Sequence, residues 1–141
     1  MRTTSADSEL ATRLRMALAR SARRLRQESG TGLSPSLTAA LTTIELHGPL
    51  TPSELAARER VQRPTVTGIV YRLGEAGLIA RAGDPADRRS SLITVTPAGR
   101  ELLAAARTRK DAFLSERLDA LNAEDRATLE RAAALLEGML E

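Results

Sequence analysis

Leu10, Leu14, Leu18, Ala22 and Leu25 recur at intervals of three or four residues. That spacing predicts a helix from about Ser8 with one apolar stripe, and it leaves Arg13, Arg20, Arg23, Arg24 and Arg26 largely on a solvated face. Residues 1–7 are polar and are expected to fray, and Gly30-Thr31-Gly32 ends the segment. Ser34-Pro35 then reads as an N-cap with proline in the first helical position. The helix it opens carries Leu37, Leu41, Ile44 and Leu46 and stops at His47-Gly48-Pro49. Thr51-Pro52-Ser53-Glu54 is a capping box, in which the threonine and the glutamate satisfy the unpaired amides of the first turn reciprocally. This third helix is about two turns long, points Leu55 and Ala56 inward, and ends in a tight turn at 59–61.

A fourth helix starts within Gln62–Pro64 and runs to about Ala76, with Val66, Ile69, Val70 and Leu73 as its buried stripe. Gly77 occupies the position just past its end, where a left-handed residue is wanted. Gly68 and Gly74 are unexpected, since each costs about 1 kcal/mol against alanine inside a helix. Leu78–Ala82 and Leu92–Thr96 read as short strands, joined by a Gly83–Ser91 loop longer than a hairpin needs. Thr96-Pro97 opens a long helix with Leu102, Leu103, Ala106, Phe113, Leu114, Leu118 and Leu121 as apolar positions. Asn122–Asp125 caps a last helix bearing Leu129, Ala132, Ala133, Leu136 and Leu140.

Composition narrows the chemistry. Of 141 residues 42% are hydrophobic, but Tyr71 and Phe113 are the only aromatics, so any core is aliphatic. There is no cysteine, which excludes disulfides, thiol redox chemistry, iron–sulfur clusters and thiolate zinc sites. His47 is the single histidine, so no metal site is expected. With neither a glycine-rich phosphate loop nor a nucleophile elbow, the chain reads as no enzyme and needs no cofactor. No apolar run approaches membrane-spanning length, so a cytoplasmic protein without a membrane partner is expected.

Charge is informative through its distribution. The net charge is +3, and 20 of the 21 basic residues are arginine. Residues 1–30 sum to +4 and 48–99 to +2, whereas 100–141 sum to −2. The acidic tail is thus poorly suited to a polyanion, and the first two-thirds of the chain are better suited.

The order of elements through residues 48–96 is short helix, turn, helix, hairpin: a winged helix-turn-helix within a mainly α fold. A helix fits the major groove of DNA and meets base edges with its N-terminal residues. Here those are Gln62, Arg63, Pro64, Thr65 and Thr67, and the core stripe leaves Arg63, Thr65, Thr67, Gly68 and Arg72 facing out. A hairpin beside such a helix reaches the adjoining minor groove, where Arg88 and Arg89 meet negative potential and flanking phosphates. Asp87 is placed to pair with one of these arginines and brace the wing. Thr65 and Thr67 also read as ordinary helix-start residues, and Arg88 and Arg89 as a solvated loop.

The segments "RPTVTGIVYRLGEAGLI" and "DPADRRSSLITVTPAGREL", in this order and spacing, resemble the MarR family of winged helix-turn-helix transcriptional regulators. The likeness extends over about residues 8–140. It implies a DNA-binding lobe at 35–99 between dimerisation helices at 1–34 and 100–141. It also implies a homodimer on a palindromic operator in double-stranded DNA, acting as a repressor and relieved by a small-molecule effector bound between the dimer region and the lobe. Leu10, Leu14, Leu18, Leu129, Leu136 and Leu140 are the expected dimerisation residues. Leu41, His47 and Tyr71 are candidates for the effector pocket, although His47 equally suits a helix end and Tyr71 equally suits packing. Gly68 departs from the larger groove-facing side chain usual in the family, which shifts base reading toward Arg63, Thr65 and Thr67. The alternative reading is a winged-helix protein-interaction module without DNA binding.

Overall fold

In the computed structural model, which describes residues 4–141, the first helix begins ahead of its apolar stripe. Thr4 Oγ1 accepts from the Asp7 amide at 3.3 Å and donates to Asp7 Oδ2 at 2.6 Å, a side-chain cap that opens α1 (Ser5–Ser29). The expected fraying of residues 1–7 therefore gives way to helix from Ser5, and residues 1–3 lie outside the described residues. Ser34, Thr51 and Asn122 cap α2 (Pro35–His47), α3 (Pro52–Glu59) and α6 (Ala123–Met139) with side-chain oxygens, at the positions their sequence signals mark. Between α3 and α6 lie α4 (Arg63–Glu75), β1 (Ile79–Asp84), β2 (Asp87–Val95) and α5 (Pro97–Asp119).

The chain divides into two compact units, one of Ser29–Arg107 and one of Met1–Glu28 with Thr108–Glu141. Their limits differ from 34/35 and 99/100 because the first turns of α5 pack into the lobe, with Leu103 only 3% exposed. The lobe core takes Leu41 and Ile44 from α2, Leu55 from α3, Val66 and Leu73 from α4, and Ile93 from β2. Leu46, expected on the α2 stripe, is exposed instead, since residues two apart on a helix do not share a face with Ile44. Leu50 is buried where no strand was expected. It exchanges backbone hydrogen bonds with Ile93 at 3.0 and 2.7 Å, a one-residue bridge onto the hairpin.

The hairpin corrects the expected long loop. β1 and β2 pair antiparallel from Ile79↔Val95 to Gly83↔Ser91, then shift register so that Asp84 faces Asp87. Only Pro85 and Ala86 turn the chain, and Arg88 and Arg89 belong to β2. Asp84 Oδ1 accepts from the Ala86 amide at 2.9 Å and Asp87 Oδ1 from the Arg89 amide at 3.0 Å. These local carboxylate–amide bonds let the turn close tightly despite its polar, proline-containing sequence.

At the hairpin's root, Thr96 Oγ1 donates to the Gly77 carbonyl at 2.7 Å and accepts from the Gly99 amide at 3.1 Å, while its own amide donates to Leu78 O at 3.0 Å. Gly77, at φ +74°, ends α4 in the left-handed conformation expected of it. Gly99 lies so close to the hairpin's root that an added Cβ would stand 2.3 Å from Leu78 O, just before β1, and 2.7 Å from Val95 Cγ2 at the end of β2. Gly99→Ala should destabilise the lobe by about 1–3 kcal/mol despite alanine's better helix propensity, which urea unfolding would read directly.

In the unit built from the chain ends, Phe113 is flanked by two guanidinium groups. Arg117 Cζ lies 3.4 Å and Arg24 Cζ 5.1 Å from the ring centroid. Arg24 also pairs with Glu28 at 2.9 Å, so it is engaged within its unit and not simply part of a solvated face. None of the residues of α6 is buried, and Leu10, Leu14, Leu18, Leu129 and Leu140 are all exposed, with Leu136 partly so.

Candidate nucleic-acid interface

The turn between α3 and α4 is set by a cap that uses no glycine. Arg60 takes φ +55°, its amide donates to Ala57 O at 3.3 Å, and the Val61 amide donates to Ala56 O at 3.1 Å. This double bond pattern is a Schellman motif, and half-buried Val61 supplies the apolar contact that accompanies it. Thr43 Oγ1 donates to Glu59 Oε1 and ties α2 to the end of α3. Arg107 and Glu45 form an ion pair between α5 and α2. The end of α3, and through the turn the start of α4, is thereby fixed against α2.

Val66, Ile69, Val70 and Leu73 are buried, as their spacing predicts, and this orients the rest of α4. Gln62 is the N-cap residue but makes no side-chain cap bond, so its side-chain amide has no partner among the described residues. Arg63 Nη1 donates to Ser53 Oγ in the first turn of α3, which ties the start of α4 to the start of α3. Pro64 and Arg72 are exposed. Thr65 lies toward α2, in a cleft of about 290 Å³ shared with Pro35, Ser36, Glu59 and Val61. The Thr67 hydroxyl donates to Arg63 O at 3.1 Å. Gly68 is half-exposed, with nothing near the place a Cβ would take.

On the hairpin Arg88 and Arg89 are exposed, and their guanidinium groups have no partner among the described residues. The expected Asp87–arginine ion pair is absent among those residues: Asp87 braces the wing through the Arg89 backbone amide. Arg81 was not anticipated. Its Nε and Nη2 donate to Ser91 Oγ at 3.2 and 2.8 Å, which adds a third arginine to the hairpin. That placement follows from the strand register, which a one-dimensional pattern does not contain. Ser53 was missed because its bond to Arg63 is a contact between α3 and α4, which such a pattern does not contain either.

Residues 33–91 match the MarR family model. An uncharacterised HTH-type transcriptional regulator of Mycobacterium bovis is 38% identical over 136 residues, covering 96% of this chain and 95% of the relative. The chain belongs to the MarR family. It is a helix-turn-helix transcriptional regulator with the winged fold of that family. A candidate transcriptional regulator of Pseudomonas aeruginosa has a solved structure that is 31% identical and superposes with a TM-score of 0.89 over 99% of both chains. A point mutant of Staphylococcus aureus MepR, bound to an oligodeoxyribonucleotide, shares the fold at 20% identity, with a TM-score of 0.74 over 94% of this chain and 98% of that one. The repressor NicR of Pseudomonas putida is 36% identical over 73 residues, 49% of this chain and 46% of NicR.

In this MarR-family chain the three candidate effector-pocket residues do not converge. Leu41 is sealed in the lobe core at 0% exposure, because it sits on the inner stripe of α2 one turn before Ile44. His47 is exposed at the end of α2, and Tyr71 is 67% exposed on α4 rather than packed. Among the described residues no helix is long and apolar enough to cross a membrane.

Proposed function

We propose that two copies of this chain bind a palindromic site in double-stranded DNA, each setting α4 into a major groove and its hairpin against the neighbouring minor groove. The observation that carries this reading is the set of exposed groups on one lobe: the uncapped start of α4 with Gln62 and Arg63, and the unpaired Arg88 and Arg89. A helix start offers free amides and positive potential to an anionic backbone. The free arginines suit a narrow minor groove and its phosphates. The oligodeoxyribonucleotide on MepR, which has the same fold, agrees with this use of the lobe. Pairing is supported by the exposed leucines of α1 and α6, which a second copy would remove from water. Twofold symmetry then matches two half-sites about one helical turn apart. A dimer seated on a promoter excludes polymerase, and NicR is named a repressor; both favour repression.

Selection of bound duplexes from random sequence tests this directly. The expected product is an inverted repeat, and Arg63→Ala is expected to weaken binding to it by about ten- to a hundredfold with relaxed preference at one position. Recovery of no duplex above background, with the protein folded, would instead favour the protein-interaction reading.

A further inference from the structure

On a helix turning about 100° per residue, Thr67, Gly68 and Tyr71 lie together on the side opposite Val66, Ile69, Val70 and Leu73. They are also neighbours at spacings of three and four, so they form one contiguous patch. Each presents something particular. The Thr67 hydroxyl is bound to Arg63 O, which leaves the threonine methyl as the group free for an outside contact. Tyr71 exposes 67% of its surface, and its phenol has no partner among the described residues. Helical side chains lean toward the N-terminus, so Tyr71 extends from the C-terminal side of the patch toward the turn of Thr67 and Gly68, without any atom within 4 Å of the place a Gly68 Cβ would take. Between them Gly68 leaves an opening, since an added Cβ would meet no atom within 4 Å.

The fold itself gives no reason for glycine at 68. Alanine would fit, and it would gain about 1 kcal/mol of helix propensity. A glycine that the interior does not require makes sense where something outside approaches the backbone closely. The approaching group must be small and apolar to match a methyl, a bare helix backbone and an aromatic ring. In the major groove one base carries such a group, the C5-methyl of thymine.

We infer that Thr67, Gly68 and Tyr71 form a notch that reads a thymine methyl in each half-site. This rests on α4 being the groove-facing helix and adds a base preference to it. The hairpin arginines fix position and register and Arg63 reads a base at the helix start, while the notch discriminates A·T from the other pairs at a separate position about two turns into the helix.

The test replaces thymine by deoxyuridine at each position in turn of a duplex recovered by selection, removing the methyl and nothing else. Binding of the full chain is followed by fluorescence anisotropy at fixed salt. One position per half-site is expected to lose about fourfold in affinity, the worth of one methyl contact. Gly68→Ala and Tyr71→Ala should abolish that difference, whereas Tyr71→Phe, which keeps the ring, should preserve it. Gly74→Ala is the control, because Gly74 is equally open but lies a turn beyond the patch. It should raise the melting temperature as Gly68→Ala does and leave the thymine preference intact. Tight binding with no deoxyuridine-sensitive position, or a sensitivity that survives both Gly68→Ala and Tyr71→Ala, overturns the notch and leaves α4 as the reading helix. Failure of the folded wild type to bind any duplex overturns both.

Discussion

Replacing Ile93 by alanine is expected to lower the unfolding free energy by about 2–5 kcal/mol, one of the two largest effects foreseen for this chain. Ile93 is fully buried, and its loss would open a cavity among α2, α3, α4 and the hairpin. Its backbone amide and carbonyl are both bonded to Leu50, so the surroundings are poorly free to collapse into the space. Limited collapse puts the cost toward the upper part of the range. Leu46→Ala makes the comparison sharp. Leu46 has a similar side chain, but it is 68% exposed, and the expected change is within about 0.5 kcal/mol. Chemical denaturation of both variants measures the contrast. A small loss at Ile93 would mean that the hairpin is not anchored in the lobe core as described.

The double substitution Arg88→Ala/Arg89→Ala is expected to weaken DNA binding by about a hundredfold at physiological salt, taking each guanidinium as one charge-assisted contact worth roughly tenfold. Both side chains are exposed and have no partner among the described residues, so folding should be untouched and the melting temperature unchanged. The informative readout is the slope of log affinity against log salt concentration. Two lost phosphate contacts should reduce its magnitude by about 2, because each contact releases a condensed counterion. An unchanged slope with reduced affinity would place these arginines on base edges in the groove. An unchanged affinity would remove the hairpin from the DNA interface. Arg81 offers an internal comparison, since its guanidinium is already bonded to Ser91 and is less free to reach out.

Much of this protein is written in local signals. Ser34, Thr51 and Asn122 mark helix starts because an N-cap acts on amides two or three residues away. The inner stripe of α4 is legible because burial repeats with the turn of the helix, so Val66, Ile69, Val70 and Leu73 identify themselves. Gly77 marks a helix end because its left-handed backbone suits few other residues. The resemblance of 63–79 and 84–102 to a known family also lay in the sequence, and relatives and solved structures agree with it.

Other features depended on contacts between segments far apart in the chain. The hairpin was expected to carry a long loop, because Asp, Pro and Gly read as breakers. In the fold, two aspartates bond nearby amides and let the strands run almost to the tip. Tyr71 could be placed inside or outside from its spacing, and the packing of α4 against α2 and α3 put it outside. Arg81, Ser53 and Leu50 acquired roles only through strand register and helix contact. By itself, then, the sequence determined where α2, α3 and α6 start, which face α4 buries and to which family the chain belongs, since those follow from neighbours within about one turn. Only the tertiary structure decided which arginines stand free and which polar groups brace them. It also decided that Tyr71 stands exposed and that nothing packs over Gly68, because such facts depend on residues tens of positions apart meeting in space.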